Sequence, residues 1–544
     1  ADTIAPPENA YSIDPLILHD LDGDGFSEII LAAKNLVYRR QSSGRYESKP
    51  LCQRPPGLIS AALVADFDGD GAADFLCVKH EGLVLFKGSR QGFFDQPERM
   101  VWPAPPDLKY PMVLTAGDVD HDGDLDIFLA QYKVPYELGS MPTPFYDAND
   151  GPPAYLLLND GKANLADATA AAGLNNKRGR RTYAASMVDL DGDRNLDLVV
   201  VSDFAGVDIY RNDGRGHFAD LTRDWVAEPH GFGMAHALAD FNADGRLDLF
   251  MIGMTSATVE RLDHLRLWRP GAGEDRLMRS RMTFGNRLFL ARANGGFEQT
   301  PLSDSIARSG WSWGCSAFDF DNDGFPDVYI GNGLETRPSV RDYESEYWLH
   351  DLYVGDSKED SAPYLYFKAK FGRTRGRGQS YGGYEKNRFF LNQRGAAFVE
   401  VAHLLGVGLG QDSRNVVSDD LDGDGRVDLL VTSFEDWPQS KQTLRIYKNN
   451  LENGGHWIGF RFGDQPPSPI GVRVTLHADG KRAVRQILNG DSYRSQHAHT
   501  MHFGLGSARR VDDVEIQWLD GRSVTLREPA VNRYHSVSAG RISK

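Results

Sequence analysis

An acidic nine-residue loop of the form Asp-x-Asp-x-Asp-Gly-x-x-Asp recurs seven times, beginning at Asp20, Asp66, Asp118, Asp189, Asp240, Asp319 and Asp420. Each copy runs into a short apolar stretch such as Asp74-Phe-Leu-Cys-Val78 or Asp197-Leu-Val-Val-Val201. Runs of branched and aromatic residues at this length predict buried strands. Further on, segments such as Ile209–Phe218, Leu288–Phe297 and Phe389–Phe398 carry a strand, a Gly or Asn turn and another strand, which predicts a hairpin. Loop, strand and hairpin make a four-stranded unit, and where nothing is inserted successive loops start 46 to 52 residues apart, the period of a propeller blade. The expected fold is therefore all-β: an extension over 1–11, a seven-bladed β-propeller over 12–450 and a small β-rich domain over 451–544.

The loops suit a hard cation. Carboxylates at positions 1, 3 and 5, a backbone carbonyl at 7 and a carboxylate at 9 offer oxygens only, in a flexible arrangement that favours calcium over magnesium. The candidate ligands are Asp20, Asp22, Asp24, Phe26 and Glu28; Asp66, Asp68, Asp70, Ala72 and Asp74; Asp118, Asp120, Asp122, Asp124 and Asp126; Asp189, Asp191, Asp193, Asn195 and Asp197; Asp240, Asn242, Asp244, Arg246 and Asp248; Asp319, Asp321, Asp323, Phe325 and Asp327; and Asp420, Asp422, Asp424, Arg426 and Asp428. An EF-hand would need Glu at position 12 and flanking helices, and has neither here. Arg194 stands where the fourth loop needs its turn glycine, Asn242 removes a charge from the fifth, and Glu28 lengthens the last arm of the first. Five to seven structural calcium ions are expected.

The net charge of −16 argues against nucleic acid and anionic membranes as partners, and seven divalent ions would bring it to about −2. No apolar run is long enough to span a bilayer. A start at Ala1 followed by a loose segment suits a mature end after leader removal, although a trimmed chain would look the same. With no Asn-x-Ser/Thr sequon, a periplasmic or secreted bacterial setting is favoured. Cys52, Cys77 and Cys315 read as buried thiols, a Cys52–Cys77 bridge being the alternative.

The repeats resemble the FG-GAP or VCBS blades of integrin alpha heads, and Gly231-Phe-Gly-Met-Ala-His236 through Gly245 is close to the form found in the cartilage acidic protein family. In the tail, Gly471-Val-Arg-Val474, Asn489-Gly-Asp-Ser-Tyr-Arg-Ser-Gln496, His502-Phe-Gly-Leu-Gly506 and Val511–Trp518 resemble the ASPIC/UnbV domain in order and spacing. The resemblance implies that each loop joins the innermost strand of a blade to the second. Three long intervals, about 132–154, 255–284 and 332–386, then emerge on the face opposite the loops, where long segments on a rigid scaffold carry function.

Candidate ligand-binding residues in and beneath these inserts are Tyr132, Tyr136, Trp268, Trp311, Trp313, Tyr347 and Trp348, accompanied by Tyr146, Tyr343, Arg266, Arg269, Arg276, Arg279, Arg281, Arg373, Arg375 and Arg377. Aromatics and arginines suit an anionic or planar ligand; the plain alternative is that the inserts pack on each other and pair Arg with nearby Asp and Glu. Candidate acids and bases at the same rim are Arg181, Tyr183, Asp203, His230, His236, His350, Arg414 and Glu435, although side chains along blade strands mostly point into neighbouring blades, which is the better reading of Trp313 and His236. The tail offers His497 and His499 on one face of a strand as a start on a zinc or copper site, with His502 read as structural. The leading expectation is a binding protein for a ligand, carbohydrate or protein; a lyase, isomerase or cyclase on the same face is the alternative.

Overall fold

A computed structural model describes residues 2–4, 15–135, 137–268, 270–271, 273–342, 348, 358–375, 378–452, 454–538 and 541–543. Seven antiparallel sheets follow one another along the chain, each ordered from first to last strand as a meander. Their first strands are Leu16–His19, Ala62–Ala65, Pro111–Gly117, Arg181–Val188, Gly233–Ala239, Ser312–Phe318 and Asp412–Asp419. These strands neighbour one another in that order, and the seventh returns to the first, so the sheets close a ring around an axis. Each acidic loop joins a first strand to a second, as between Pro111–Gly117 and Asp126–Gln131.

The strands are buried on both sides because every sheet packs face to face with two others. Arg181–Val188 is buried along its whole length, and Leu63, Leu76 and Leu85 of the second sheet meet Leu114, Ile127 and Leu157 of the third. This accounts for the continuous apolar runs after the loops, in place of alternation. The seventh sheet takes its outer strand from Asp2–Ile4, which pairs with Thr443 and its neighbours, so part of the expected extension over 1–11 belongs to the ring. Cys52, Cys77 and Cys315 are free and buried, so no Cys52–Cys77 bridge forms.

Beyond the ring, His456–Phe462, Thr500–Gly506, Tyr534–Ser538 and Arg541–Ser543 form one four-stranded sheet, and Arg473–Ala478, Lys481–Gln486, Asp513–Gln517 and Ser523–Arg527 form another. They share a core of Ile458, Phe460, Val474, Met501, Ile516 and Trp518. This domain sits on the acidic loops: Gln465 donates to the Gly71 carbonyl at 3.0 Å, the Gly455 N–H to Asp321 O at 2.9 Å, and the Arg473 guanidinium to Asp189 O at 3.2 Å.

From this domain the segment Asn489–Gln496 descends into the axis and bonds to the first strand of every sheet. Asn489 meets Thr115 and Ala116 of the third sheet and accepts from the Ser186 hydroxyl of the fourth. The Ser492 N–H donates to His236 O in the fifth sheet, while its hydroxyl accepts from the Cys315 N–H in the sixth and donates to Val416 O in the seventh. Ser495 and Gln496 pair in parallel with Leu16 and Ile17 of the first, and the Gln496 amide clasps both backbone groups of Val64 in the second, at 2.9 and 2.8 Å. Polar residues can fill the axis because the inner strands present backbone groups that need partners. Gly490 is obligatory there: its φ is +82° and an added Cβ would lie 2.1 Å from Ala185 O.

The segments between second and third strands of the third, fifth and sixth sheets leave at the strand ends opposite the acidic loops. The second of them holds helices Ala257–His264 and Gly273–Met282, and the third holds Ser361–Arg375. Ser256 caps the first of these helices by accepting from the Val259 N–H at 3.2 Å.

Candidate functional site

All seven acidic loops share one backbone. Position 6 is left-handed throughout: Gly25, Gly71, Gly123, Gly245, Gly324 and Gly425 have φ from 80° to 96°, and Arg194 reaches the same region at 73° with a side chain attached. Position 4 is left-handed too, at Gly23, Gly69, His121, Gly192, Ala243, Asn322 and Gly423. This wraps the chain so that the first carboxylate accepts from N–H groups further along: Asp20 from Gly23 and Gly25 at 2.9 Å each, Asp189 from Gly192 at 2.7 Å and Arg194 at 3.1 Å.

Carboxylate oxygens of positions 1, 3 and 5 converge within 4.8 Å in Asp66–Asp68–Asp70, Asp118–Asp120–Asp122 and Asp189–Asp191–Asp193; in the first loop Asp20 and Asp22 are joined instead by the longer Glu28. Oδ1 atoms of Asp68, Asp118, Asp120 and Asp422 are buried without a hydrogen-bond partner, which is what a cation ligand looks like in a structure without the ion. Burial, opposed in part by backbone N–H groups and reinforced by neighbouring carboxylates, pushes Asp66, Asp240 and Asp420 up to about 6 and Asp319 to about 7. An oxygen-only cluster that resists carrying its charge fits a hard divalent ion such as calcium.

Position 9 plays a double part that spacing alone does not reveal. One oxygen of Asp126 accepts from the Val119 N–H of its own loop at 3.1 Å, and the other from Asn159 N–H at 2.9 Å on the third strand. Asp197 and Asp327 repeat the pattern with Asn212 and Asn392. These carboxylates fasten loop to sheet, leaving one lone pair on each oxygen for a metal.

The asparagines are a further element, read from sequence only as turn residues. Asn212 Nδ2 donates to Leu196 O of its own loop at 3.1 Å and to Val119 O of the preceding one at 2.7 Å. Asn159, Asn392 and Asn449 likewise reach Phe67, Phe241 and Phe320 of the preceding acidic loop in the ring. Their signal in the sequence is an Asn ending a strand shortly before a Gly turn, as in Tyr210-Arg-Asn-Asp-Gly214.

Bases stand at the outer oxygens of several loops. Arg211 pairs with Asp191 at 2.9 Å and Asp193 at 3.1 Å, Lys87 with Asp68 and Asp70, Lys448 with Asp422 and Asp424, and Arg246 with Asp244. Among the described residues the five carboxylates of the third loop have no such ion pair.

On the opposite face, most of the expected surface set is interior. Arg181 is fully buried and forks onto Asp150 at 2.9 and 2.7 Å, tying the first insert to the fourth sheet. Tyr132 stacks on Tyr183 with ring centroids 4.2 Å apart and donates to Asp203 at 2.9 Å; burial raises Asp203 to about 7. Trp313 lies edge-on to Tyr183 and to Tyr493 of the axial segment, with the Arg414 guanidinium 4.4 Å from its ring centre. Arg414 spends its donors on the carbonyls of Gly333, Ser413 and Leu334. Trp311 packs on Tyr381, and Trp348 is buried against Phe232 with its N–H on the Ser256 hydroxyl at 3.0 Å. His236 is enclosed, its Nε2 2.8 Å from Ser186 Oγ.

The expectation that Arg181, Tyr183, Asp203, Arg414, Tyr132, Trp311 and Trp348 face a ligand is therefore corrected, whereas Trp313 and His236 lie between sheets. With Tyr493 filling the axis from the loop side, the strand ends close over it as core. His230 pairs with Glu228 at 2.7 Å, and Glu435 with Lys441 at 2.9 Å. Tyr136, His350, Tyr347, Tyr343, Arg269 and Arg377, and the side chains of Arg373 and Arg375, lie outside the described residues. Among the described residues, Trp268 is the expected ligand residue that is exposed, under an Arg276 guanidinium 3.8 Å from its ring centre. Around it the same insert exposes Leu265, Leu267 and Leu277, while Arg279 is buried against Asp263 and Arg281 pairs with Glu228 at 3.2 Å.

The tail histidines separate. His497 turns to Ser316 at 3.0 Å and Asp491 at 3.3 Å beside a polar cavity of about 100 Å³ under the C-terminal domain, whereas His499 faces Asp464 and His19. The paired His497–His499 site does not form. His502 bonds Asn322 of the sixth loop at 2.6 Å, a structural role.

Models of the FG-GAP-like repeat match residues 20–77, 66–129, 189–251 and 276–330, and a model described as ASPIC and UnbV matches 463–544. Cartilage acidic protein 1 of Mus musculus is 24% identical over 343 residues, covering 60% of this chain and 40% of its own length. That of Xenopus tropicalis is 23% identical over 414 residues, covering 72% and 51%. The chain thus spans about half or less of the length of the curated relatives it matches. A solved structure of an Agrocybe aegerita lectin recognising non-reducing terminal N-acetylglucosamine is similar at a TM-score of 0.39 and 14% identity, covering 83% of this chain and 94% of that one. Repeats, tail motifs and relatives agree: the chain belongs to the FG-GAP-repeat proteins that carry a C-terminal ASPIC/UnbV domain.

Proposed function

We propose that the protein is an extracytoplasmic binding protein whose acidic loops hold five to seven structural calcium ions and whose insert-bearing face takes a protein or carbohydrate ligand. The observation that carries this reading is the asymmetry of the two faces. The loop face is covered by the C-terminal domain, while the opposite face presents Leu265 and Leu277, 62% and 64% exposed, beside the Trp268–Arg276 pair. Exposed apolar groups clustered with an aromatic and an arginine have the composition of binding anchors. Catalysis on that face is disfavoured because Arg181, Tyr183, Asp203 and Arg414 are spent on packing and internal bonds.

Calcium stiffens the scaffold: positions 1, 3 and 5 supply the carboxylates, position 7 a carbonyl, and position 9 shares its oxygens between metal and backbone. The third loop, with five acids and, among the described residues, no Lys or Arg paired to them, is the strongest site; the fifth, with Asn242 and the Arg246–Asp244 pair, is the weakest. No helix of the described residues is long and apolar enough to cross a membrane, and the relatives named for cartilage support an extracellular setting.

The test is a screen of the calcium-loaded chain against glycan and extracellular-protein arrays, repeated with Trp268→Ala/Leu277→Asp. Binding reduced at least about tenfold with unchanged melting supports the face. Hits that survive the double substitution place the ligand elsewhere and refute it.

A further inference from the structure

Where the C-terminal domain meets the first sheet, three metal-binding side chains come together from distant parts of the chain. His19 ends the strand Leu16–His19, Asp464 follows His456–Phe462, and His499 precedes Thr500–Gly506. His19 Nε2 lies 2.8 Å from Asp464 Oδ2, and His499 Nδ1 lies 3.4 Å from Asp464 Oδ1. The two imidazole centroids are 4.9 Å apart, and one ligand atom from each of the three residues falls within 4.8 Å of the others. Backbone bonding fixes the two tail residues relative to each other, since the Phe462 N–H donates to His499 O at 3.0 Å.

Hydrogen bonding accounts for one contact of this cluster, His19 Nε2 with Asp464 Oδ2, and leaves the rest unexplained. Both ring nitrogens of His499, Nδ1 of His19 and Oδ1 of Asp464 are buried and lack a hydrogen-bond partner, while His19 and His499 are 1% and 6% exposed. A buried imidazole with neither nitrogen bonded loses hydration without return, and several such atoms converging on one point need a common partner. Two imidazoles and one carboxylate are a poor calcium site, which wants six or more oxygens. They are a good zinc site, with three protein ligands and one tetrahedral position left over.

We propose that His19, Asp464 and His499 bind one zinc ion, clipping the C-terminal domain to the first sheet next to its acidic loop. Zinc bonds there would replace the unmet hydrogen-bonding capacity of all three side chains, and the ion would bridge segments more than four hundred residues apart in sequence. The site is chemically distinct from the oxygen-only loops and independent of what the insert face binds.

The experiment uses the full chain, stripped with EDTA and returned to millimolar calcium so that the loops are filled. Cobalt is then titrated as the spectroscopic stand-in for zinc, followed by zinc with calorimetry and elemental analysis. About one equivalent of either metal per chain is expected, with a visible cobalt d–d band that zinc displaces. His499→Gln and Asp464→Asn should weaken binding about 100-fold or more, while His80→Gln, at an exposed turn histidine, should leave it unchanged. Absence of the cobalt band in the unaltered chain overturns the proposal, whatever the variants do. So does binding that persists undiminished in folded His499→Gln, checked by metal-free melting.

Discussion

Arg194 shows how a single side chain can be carried in a position built for glycine. Its φ of +73° matches the glycines of the other loops, so the departure visible in the sequence is absorbed by local strain of about 1 kcal/mol. Arg194→Gly is expected to raise the melting temperature by about 1 °C in calcium, read by differential scanning calorimetry; a fall would mean that the guanidinium, which packs against Gly521, contributes more than the strain removes. His236 gives the opposite case, a titratable group hidden in the core. Burial pushes its pKa down to about 4, only partly opposed by Asp491, so the folded state keeps it neutral while the unfolded chain takes up a proton below about 6.5. Its contribution is full above pH 6.5 and is lost as pH falls from 6.5 towards 4, up to about 3 kcal/mol in all. His236→Gln is expected to flatten the stability slope over that window in denaturant titrations, and an unchanged slope would show that other groups set it.

At the level of elements, loops and hairpins were legible because their signals are local: a carboxylate every second residue, a turn glycine, a run of branched residues. The asparagine clips were half legible. Asn212 announces a turn, but its partner Val119 lies in another sheet, ninety-three residues away. Asn212→Ala removes two buried donations, to Leu196 O and to Val119 O, the latter keeping only the Gly216 N–H at 3.1 Å, which should cost about 2 kcal/mol, measured by urea unfolding. The axial segment was visible only as a family motif. Nothing in Asn489-Gly-Asp-Ser-Tyr-Arg-Ser-Gln496 says that these polar side chains are interior, because what satisfies them is backbone from seven separate strands. Missing that, the sequence reading left Tyr183 and Arg414 at an open mouth and placed Trp313 between sheets, when Tyr493 in fact completes the packing of all three. Gly490→Ala would force a Cβ to 2.1 Å from Ala185 O, and is expected to destabilise the whole chain by at least about 3 kcal/mol and to make the 450–490 region sensitive to limited proteolysis.

For the molecule as a whole, charge and architecture meet in the acidic loops. Ions that bind the ring and not the unfolded chain each add about 2.7 kcal/mol at a hundredfold excess over Kd, so EGTA should lower the melting temperature by more than about 10 °C, with calcium restoring it. An unchanged melting curve would mean that the loops hold themselves together through backbone donors and basic neighbours alone. The axial segment carries a consequence for biosynthesis. The first sheet is made early and the residues that pair with its inner strand come some 480 positions later, as in Leu16 with Ser495, so the centre of the ring cannot be finished until the axial segment has been synthesised. A nascent or truncated chain keeps seven strands with bare backbone groups turned inward, a form that proteases and chaperones can tell from the complete one. The axial segment thus works as a keystone that certifies a finished ring.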